Sequence, residues 1–503
     1  MSKTVVAALA RHAREQPASL ALADDRVRLS WRETEEWVNR AAGWLASRGL
    51  SRGAAVLGWL PNCAEWYLLR LACERSGLFW VPVPASLGRR ELSSIAERVR
   101  PAVAVGVERY RERALSRELK DIFSALDLDP IPVTVEAASF LRLECPDWSV
   151  AQPLELPENA HALATTGSEG IPKLAVYTLA AACARGHAQA RLLELTASDV
   201  LLTLSPGVGP ARAAWLAAPF AGAGVIALPV FGVQAALEGI ERERPTVVCG
   251  TPSQFSKLMA GLAEIETSTV RLWYMAGSVL PITLAEQLEA QTRGKVVSTY
   301  GGADFGGWAA TDPGDAPSVR HCTVGCGRGG TEFRIVDPQG RDVPRGAAGE
   351  LIGRGPCCVH DYLGEAGRDR WLNGWFHTGD LASLDEDGNI VILGRLKDVI
   401  IRGGDNVSPA EIEALLRTSP AVSDAAVIGV SDPVLGERVC ACVIPAAEPM
   451  PELESLRAHL RGLGLAHYKL PERLVLLDTL PSVGDKIDRR ALAEIVAARG
   501  TAA

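Results

Sequence analysis

The chain has 503 residues, more than one compact hydrophobic core accommodates, so two or three structural units are expected. Hydrophobic residues make up 48%, charged residues 22%, and the formal net charge is −8, a composition typical of globular proteins and not of disordered or fibrous chains. The mild acidity argues against a general binder of nucleic acid or of anionic membranes.

The first residues and the cysteine content indicate the compartment. Arginine and histidine precede any apolar stretch long enough for a signal peptide, and no later run reaches the roughly 18 apolar residues of a membrane span. The 11 cysteines are odd in number and scattered, which favours reduced thiols over a disulfide framework. We therefore expect a cytoplasmic protein.

Helical patterns alternate with short apolar runs in the first part of the chain. WRETEEWVNRAAGWLASRGL predicts a helix that ends at Gly49, and the apolar runs AAVLGWL and GLFWVPV follow it. The alternation returns at 200–204, 224–229, 246–249 and 270–275. Apolar strands between helices predict an α/β fold, a large layered body whose parallel sheet is covered on both faces.

The sequence pattern changes after about Gly325, from alternating helices and strands to strand-rich segments. Segments such as EFRIVDPQGRDV, GELIGRG and DLASLDEDGNIVILGR predict a β-rich sub-region. The last segment has its own helix (SPAEIEALLR), strands and closing helix, which predicts a small α+β domain. We place the large domain at 1–394, a connecting segment at 395–398 and the small C-terminal domain at 399–503.

Three stretches carry residues suited to chemistry. The first, ALATTGSEGIPKLAVYT at 162–178, combines hydroxyls, glycines and one ammonium, which suit a polyphosphate. Its spacing is not that of the usual P-loop, and a solvated Gly/Ser turn is the alternative.

The second stretch, HTGDLASLDEDGNIVILGRLKDVIIRGGDNVSPAEIEALL, places Asp380 a hairpin away from Arg395, a carboxylate and a guanidinium for a ribose and its phosphate. A hairpin turn at DEDGN and a helix N-cap at SPAE explain only parts of it. The third, LPSVGDKIDRRAL, has Lys486 beside a glycine turn, where a solvated lysine is the alternative.

In this order and spacing, the three stretches resemble the adenylate-forming superfamily of acyl- and aryl-CoA synthetases, peptide-synthetase adenylation domains and luciferase. The resemblance covers nearly the entire chain, and GRLKDVIIRGGDNVSPAEIE matches the family pattern almost completely. It implies that the small domain is mobile.

The resemblance also implies roles for individual residues. The ATP phosphate loop comprises Thr165, Thr166, Gly167, Ser168, Gly170 and Lys173. The adenine is held by Ala276, Gly277, Ser278, Tyr300 and Gly301, and the metal by Asp304. The ribose and α-phosphate are bound by Asp380 and Arg395, the hinge is Lys397, the thiol tunnel includes Gly403 and Gly404, and the catalytic cation is Lys486.

The implied reaction has two steps and uses ATP, Mg²⁺ and CoA. A carboxylate and MgATP give an acyl adenylate and pyrophosphate, and a thiol then displaces AMP. Lys486 stabilises the charge that builds at the α-phosphate. Rotation of the small domain about Lys397 then moves Lys486 away and brings Gly403 and Gly404 to the thiol tunnel.

Several positions depart from the family pattern. Glu169 stands in the phosphate loop where threonine is usual, and Asp485 replaces the glycine before the catalytic lysine. The adenine motif ends in Ala303 and Asp304 instead of threonine and glutamate, so a hydroxyl is lost and the metal-binding carboxylate is one methylene shorter. We expect adenylation with slower or differently gated chemistry.

The acyl pocket is predicted to be wide. Gly207 falls where related synthetases often have histidine, and the same resemblance places Gly209 and Gly302 nearby. Small residues make room for a bulky aryl, polycyclic or terpenoid-like acid, although turns also use glycine. The aspartate that pairs an amino group in peptide-synthetase domains has no counterpart, which argues against an α-amino acid.

Two other patterns are set aside. GCGRGG at 325–330 satisfies GxGxxG, but a predicted strand follows it where a dinucleotide site needs a helix. Four cysteines and a histidine could suggest a zinc site: Cys322, Cys326, Cys357, Cys358 and His360. The paired CxxC knuckles of zinc sites are missing, so we interpret these cysteines as buried or incidental thiols.

Three functions remain open at this point. The first is an acid-CoA ligase of secondary metabolism that performs both steps. The second is a stand-alone adenylating enzyme that passes its acyl adenylate to a carrier-protein thiol or partner enzyme, and the third is a non-catalytic ATP-binding homologue. The acid, the natural thiol and the oligomeric state stay open, a homodimer being one candidate.

Overall fold

The computed structural model describes residues 3–136, 156–165, 172–205, 209–359, 361–364, 367–402, 405–446, 449–483 and 486–500. Its α-helices are α1 (Val5–Glu15), α2 (Trp31–Ala46), α3 (Ala64–Ser76), α4 (Arg89–Val99), α5 (Leu115–Ala125), α6 (Leu179–Leu192), α7 (Ala218–Ala221), α8 (Val233–Glu243), α9 (Pro252–Leu262), α10 (Ile282–Thr292), α11 (Pro317–Cys322), α12 (Pro409–Leu416), α13 (Leu453–Gly462) and α14 (Arg489–Gly500).

The strands of the first part are β1 (Leu20–Ala23), β2 (Arg28–Ser30), β3 (Ala55–Leu60), β4 (Phe79–Pro84), β5 (Val103–Val107), β6 (Ile131–Val135), β7 (Asn159–Ala164), β8 (Leu174–Thr178), β9 (Val200–Thr203), β10 (Gly224–Ala227), β11 (Val247–Gly250), β12 (Leu272–Met275), β13 (Lys295–Gly301) and β14 (Trp308–Ala310). Those of the second part are β15 (Cys326–Gly327), β16 (Glu332–Val336), β17 (Gly349–Arg354), β18 (Asp361–Tyr362), β19 (Trp371–Leu372), β20 (Trp375–Leu384), β21 (Ile390–Arg395), β22 (Ile400–Arg402), β23 (Asp405–Val407), β24 (Val422–Asp432), β25 (Gly436–Pro445), β26 (Arg473–Leu476), β27 (Ser482–Val483) and β28 (Lys486–Ile487).

Contacts divide the chain into two compact units. The first comprises Met1–Leu280, Leu284–Phe333 and Gly353–Phe376, and the second comprises Pro281–Thr283, Arg334–Ile352 and His377–Ala503. We call them the large and the small unit. The predicted hinge contains one turn of 3₁₀-helix at Leu396–Asp398, and the predicted domain boundaries around it stay predictions.

A nine-stranded sheet forms one half of the large unit, in the order β15-β14-β13-β12-β11-β9-β10-β1-β2. The strands from β1 to β13 along this order pair in parallel. The four apolar runs predicted between Val200 and Met275 are β9 to β12. Strand β16, not a helix, follows GCGRGG as predicted.

A seven-stranded sheet, in the order β18-β8-β7-β4-β3-β5-β6, forms the other half. The apolar runs AAVLGWL and GLFWVPV contribute β3 and β4, which pair in parallel. Helix α2 ends three residues before Gly49, which adopts φ +65°. Trp59, Trp66 and Trp80 are fully buried in this half, because helices cover faces of the sheet that are almost wholly apolar.

The small unit contains a sheet in the order β23-β22-β25-β24, with β26 beside β25. Helix α12 begins after Ser408, whose Oγ accepts the backbone N–H of Glu411, and Pro409 occupies its first position. Ile412 and Leu416 of α12 are fully buried in the core of this unit. The predicted fold class, a layered α/β body with a smaller α+β C-terminal part, is confirmed.

One buried amide joins the two sheets of the large unit. Asn62 follows β3 of the seven-stranded sheet and is 1% exposed. Its Nδ2 donates to Thr203 Oγ1 (2.9 Å), the Thr203 carbonyl (3.2 Å) and the Leu228 carbonyl (3.2 Å) at the ends of β9 and β10. Its Oδ1 accepts from the Tyr67 hydroxyl at 3.0 Å. The carboxyl ends of strands from both sheets therefore meet at this side chain.

We expect Asn62→Ala to lower the free energy of unfolding by about 2–3 kcal/mol, because buried carbonyls lose their donor. Urea denaturation followed by tryptophan fluorescence measures the change. Gln234→Ala, which removes an exposed amide from α8, is the matched control and should leave stability within about 0.5 kcal/mol of the parent. Equal effects of the two substitutions would contradict this role for Asn62.

Candidate functional site

The residues predicted to hold adenine lie at one edge of the nine-stranded sheet. Strands β12 and β13 are parallel, with Met275 opposite Ser298. Ala276, Gly277 and Ser278 follow β12 directly, and Tyr300 and Gly301 end β13. Because parallel strands end at the same edge, the structure brings these two segments together, as ligand sites of open α/β sheets require.

Backbone conformation at this edge depends on glycine. Gly277 has φ +104°, a region that residues with a Cβ rarely adopt. A Cβ on Gly301 would lie 2.9 Å from the Gly307 carbonyl oxygen. The Tyr300 ring meets the Phe333 ring edge-on, with centroids 6.2 Å apart. The half-exposed Tyr300 ring at the end of β13 therefore lies near glycine backbone that carries no side chains.

Two tyrosines hold the loop that follows Tyr300. The Tyr177 hydroxyl donates to the Ala303 carbonyl and the Tyr362 hydroxyl to the Asp304 carbonyl, each at 2.6 Å. Burial raises the pKa of both phenols, so they stay protonated and able to donate at neutral pH. The backbone that carries the Asp304 carboxylate is therefore held in place.

Asp304 is suited to a divalent cation. A Cβ on Gly302 would lie 2.6 Å from Asp304 Oδ1, so a glycine is needed for the carboxylate to pack this closely against the backbone, and the Asp304 side chain remains 25% exposed. Its nearest cation is the Arg370 guanidinium, 4.0 Å away. A partly exposed carboxylate fits Mg²⁺, which keeps several waters and binds few carboxylates.

The predicted phosphate loop connects β7 and β8, an antiparallel hairpin. At its base the Thr165 N–H donates to the Lys173 carbonyl at 2.9 Å, and the Lys173 N–H donates to Thr165 Oγ1 at 3.3 Å. The hairpin thus closes at the two predicted residues that flank the loop. The other predicted loop residues lie outside the described part: Thr166, Gly167, Ser168, Glu169 and Gly170.

Asp380 and Arg395 face each other in the small unit. They are register partners on β20 and β21, and Arg395 Nε lies 2.8 Å from Asp380 Oδ1. The Asp380 side chain is 9% exposed and that of Arg395 is 46% exposed. The structure therefore brings together the two predicted ribose and phosphate ligands, with the guanidinium turned partly to solvent.

Glu350 supports this pair and was not singled out from the sequence. Its Oε1 accepts the N–H of Gly379 at 3.0 Å and its Oε2 lies 2.8 Å from His377 Nδ1. Thr378 donates its hydroxyl to the Leu351 carbonyl at 2.6 Å. The strand that carries Asp380 is thus tied to β17 by side chains. The GEL sequence alone gave no signal of this role, because the partners are 27 and 29 residues away.

The remaining predicted residues are placed less fully. Lys397 lies in the 3₁₀ turn, and Gly209 begins another at Gly209–Ala211. Lys486 in β28 pairs through its backbone with Val483 in β27, but its side chain lies outside the described part, as do Gly207, Gly403, Gly404 and Asp485. The roles assigned to all of these residues stay predictions.

The cysteines set aside above are dispersed between surface and core. Cys322 and Cys326 are exposed and Cys357 and Cys358 buried, while His360 lies outside the described residues. Within the described ranges, no group of three or more histidine, cysteine, aspartate or glutamate side chains is arranged to hold a metal ion. The helices described here include none long and apolar enough to cross a membrane.

Two protein families match most of the sequence. Residues 9–363 match the AMP-binding enzyme family and residues 411–485 the AMP-binding enzyme C-terminal domain. The chain belongs to the AMP-binding enzyme family. The predictions of an adenylate-forming, AMP-forming acid-thiol ligase and of ATP use are thereby confirmed.

Known members of this AMP-binding family are similar over nearly their full length. The chain is 29% identical to the medium-chain fatty-acid–CoA ligase of Escherichia coli, covering 93% of this chain and 86% of that protein. It is 32% identical to the salicyl-AMP ligase/salicyl-S-ArCP synthetase of Mycobacterium tuberculosis, with 97% and 90% covered. ATP-bound MatB from Rhodopseudomonas palustris has 25% identity and a TM-score of 0.86, with 98% and 99% covered.

We expect Glu350→Gln to weaken ATP binding about fivefold in this AMP-binding enzyme, because the N–H of Gly379 loses a charged acceptor and the strand with Asp380 is held less firmly. Isothermal titration with ATP measures the change. Asp342→Asn, which breaks an exposed ion pair with Arg334 in the same unit, is the control and should not alter it. Unchanged binding in Glu350→Gln would contradict the positioning role.

Proposed function

We propose that this enzyme activates a bulky carboxylic acid with ATP and transfers the acyl group to CoA. The observation that carries the proposal is the Asp380–Arg395 pair, 2.8 Å apart on adjacent strands. A buried carboxylate accepts hydrogen bonds from ribose hydroxyls, and a half-exposed guanidinium binds phosphate oxygens. Because the chain belongs to the AMP-binding enzyme family, the expected ligand of such a pair is an adenine nucleotide.

Positioning and charge supply the catalysis in this proposal. Tyr300 stacks on adenine, and Thr165 and Lys173 flank the loop that binds the ATP phosphates. Asp304 would hold Mg²⁺, which would neutralise phosphate charge when bound. Lys486 stabilises the negative charge as the acid attacks the α-phosphorus and pyrophosphate leaves. The protein needs no nucleophile of its own, since the acyl adenylate is already activated.

The second step transfers the acyl group to a thiol. In the proposal the small domain turns about Lys397, Gly403 and Gly404 form part of the thiol tunnel, and the CoA sulfur attacks the acyl carbon while AMP leaves. Transfer to a carrier-protein thiol is the second candidate, because the Mycobacterium tuberculosis relative is a salicyl-S-ArCP synthetase. A non-catalytic nucleotide-binding role would require that neither step occurs.

The proposed acid is aryl, polycyclic or terpenoid-like. Glycines at positions 207, 209 and 302 support this class because they add no side-chain volume to the predicted pocket. The relative that activates salicylate is consistent with an aryl acid, whereas the Escherichia coli relative acts on medium-chain fatty acids. A panel of acids therefore includes both kinds.

The two steps are tested separately. ATP–pyrophosphate exchange with the acid panel reports the first, and AMP release with and without CoA reports the second. We expect exchange with at least one bulky acid and an AMP release that depends on CoA. Exchange without thioester formation on adding CoA would favour the carrier-protein candidate, and absence of exchange with every acid would contradict the proposal.

We expect Lys486→Ala to slow pyrophosphate exchange by about 100-fold or more, because a cation that stabilises the transition state is removed. Binding of ATP should fall much less, which isothermal titration measures. Lys257→Ala removes an exposed lysine from α9 and should leave the exchange rate unchanged. An unchanged rate in Lys486→Ala would refute the assigned role.

A further inference from the structure

Three arginines lie in the interior of the large unit, a group that we call the arginine cluster. Arg70 is 2% exposed, Arg185 is 7% exposed and Arg212 is 5% exposed. His161, 1% exposed, stacks on Tyr177 and lies beside them. Burial, followed by the charges of Arg70 and Arg212, lowers the pKa of His161 well below its usual range, so the imidazole is neutral.

All three members of the cluster make few polar contacts. The Nε and both Nη atoms of Arg70 have no hydrogen-bond partner among the described residues, and its only ion-pair partner among them is the Glu74 carboxylate, 3.4 Å away. Arg185 donates through Nη1 to the Gly306 carbonyl at 2.9 Å, and Arg212 donates through Nη2 to the Tyr177 hydroxyl at 2.7 Å. The Nε atoms of both are buried and have no hydrogen-bond partner among the described residues. Each guanidinium also lies over an aromatic ring, Arg185 over Trp308 at 4.4 Å and Arg212 over Tyr177 at 4.9 Å.

The cluster carries more positive than negative charge. Arg70 has Glu74 within 3.4 Å, but no carboxylate of the described residues forms an ion pair with Arg185 or Arg212. Burial and the charge of Arg212 lower the pKa of Arg185 to about 10, so it remains cationic at neutral pH. Two buried cations without a counter-ion are unfavourable, and aromatic contacts compensate only in part.

The position of the cluster points to the acyl side of the predicted site. His161 and Tyr177 are paired on the β7–β8 hairpin three register steps from its loop end, roughly 10 Å at 3.3 Å per residue. Arg212 directly follows the Gly209–Ala211 turn of the predicted acyl pocket. Through Tyr177 and Arg185, the cluster contacts the carbonyls of the loop that begins at Gly302.

We propose that Arg185 and Arg212 bind a second anionic group, in the simplest case a carboxylate, on the acyl part of the acid. The inference rests on the proposed function and narrows its substrate class to bulky acids with a second negative charge remote from the reacting carboxyl. Such a group supplies the missing counter-ion and accepts from the guanidinium N–H groups, as buried arginines bind carboxylates.

Matched pairs of acids test this selectivity. Hexanoic acid is compared with adipic acid, and benzoic acid with isophthalic acid and its monomethyl ester, by ATP–pyrophosphate exchange. We expect the diacid to have a kcat/KM at least about tenfold above that of its matched monoacid and ester. In Arg212→Met and Arg185→Met, the diacid should lose about 10- to 100-fold, mostly through KM, while the monoacids change little.

Stability provides a readout that a purely structural role would not give. Arg320 is 4% exposed but is paired with Glu289, so Arg320→Met should lower Tm and leave the diacid preference unchanged. Arg212→Met removes an uncompensated charge and should leave Tm unchanged or raise it. Without ATP, isophthalate should raise the Tm of the parent and not that of Arg212→Met.

The outcomes separate this inference from the proposed function. Exchange with monoacids, no diacid preference in the parent and no effect of either arginine variant would overturn the inference alone. Equal loss with every acid in Arg212→Met would place the reacting carboxyl at the cluster and also overturn it. If no acid supports exchange, the proposed function fails, and absence of a diacid-dependent Tm shift then overturns the inference as well. If either Arg185→Met or Arg212→Met fails to fold, the other variant and the diacid preference of the parent enzyme decide between these outcomes.

Discussion

The hydrogen bonds of Asn62 join the two sheets of the large unit at their carboxyl ends, and the predicted nucleotide site depends on that junction. The phosphate-loop hairpin belongs to the seven-stranded sheet, whereas the adenine segments belong to the nine-stranded sheet. Neither sheet holds both. A fully buried amide with all its partners satisfied can set the two sheets in one arrangement, because any shift would leave several buried polar groups unpaired.

Tyr177 makes a second connection between the same two sheets. It lies on β8, its hydroxyl donates to the Ala303 carbonyl in the loop after β13, and it accepts from Arg212. One phenol thus links the phosphate hairpin, the loop that carries Asp304 and the arginine cluster. The Tyr177 oxygen thus serves as donor and as acceptor, while its ring stacks on the neutral imidazole of His161.

In the small unit, a strand pair performs the corresponding task. Asp380 and Arg395 are opposite each other because the DEDGN turn closes a hairpin in which Ser383 also faces Val391. The bulge between Leu381 and Ala382 sets the register of the site residues. Glu350 and Thr378 then anchor the strand, which explains how an exposed guanidinium and a buried carboxylate keep a 2.8 Å contact.

Periodicity and motif spacing were sufficient to predict the alternation of helices with β9 to β12, the α+β character of the small unit, the family and the pairing of Asp380 with Arg395. These follow from local pattern: apolar runs that specify buried strands, and a turn that brings nearby residues together. The sequence by itself thus determined the elements and the class of chemistry. Only the tertiary structure decided that Asn62, Tyr177 and Glu350 connect them, and that Arg185 and Arg212 are buried without a carboxylate. Those contacts join residues far apart in the chain, and burial of a charge is a property of the packed core, so no local pattern encodes either.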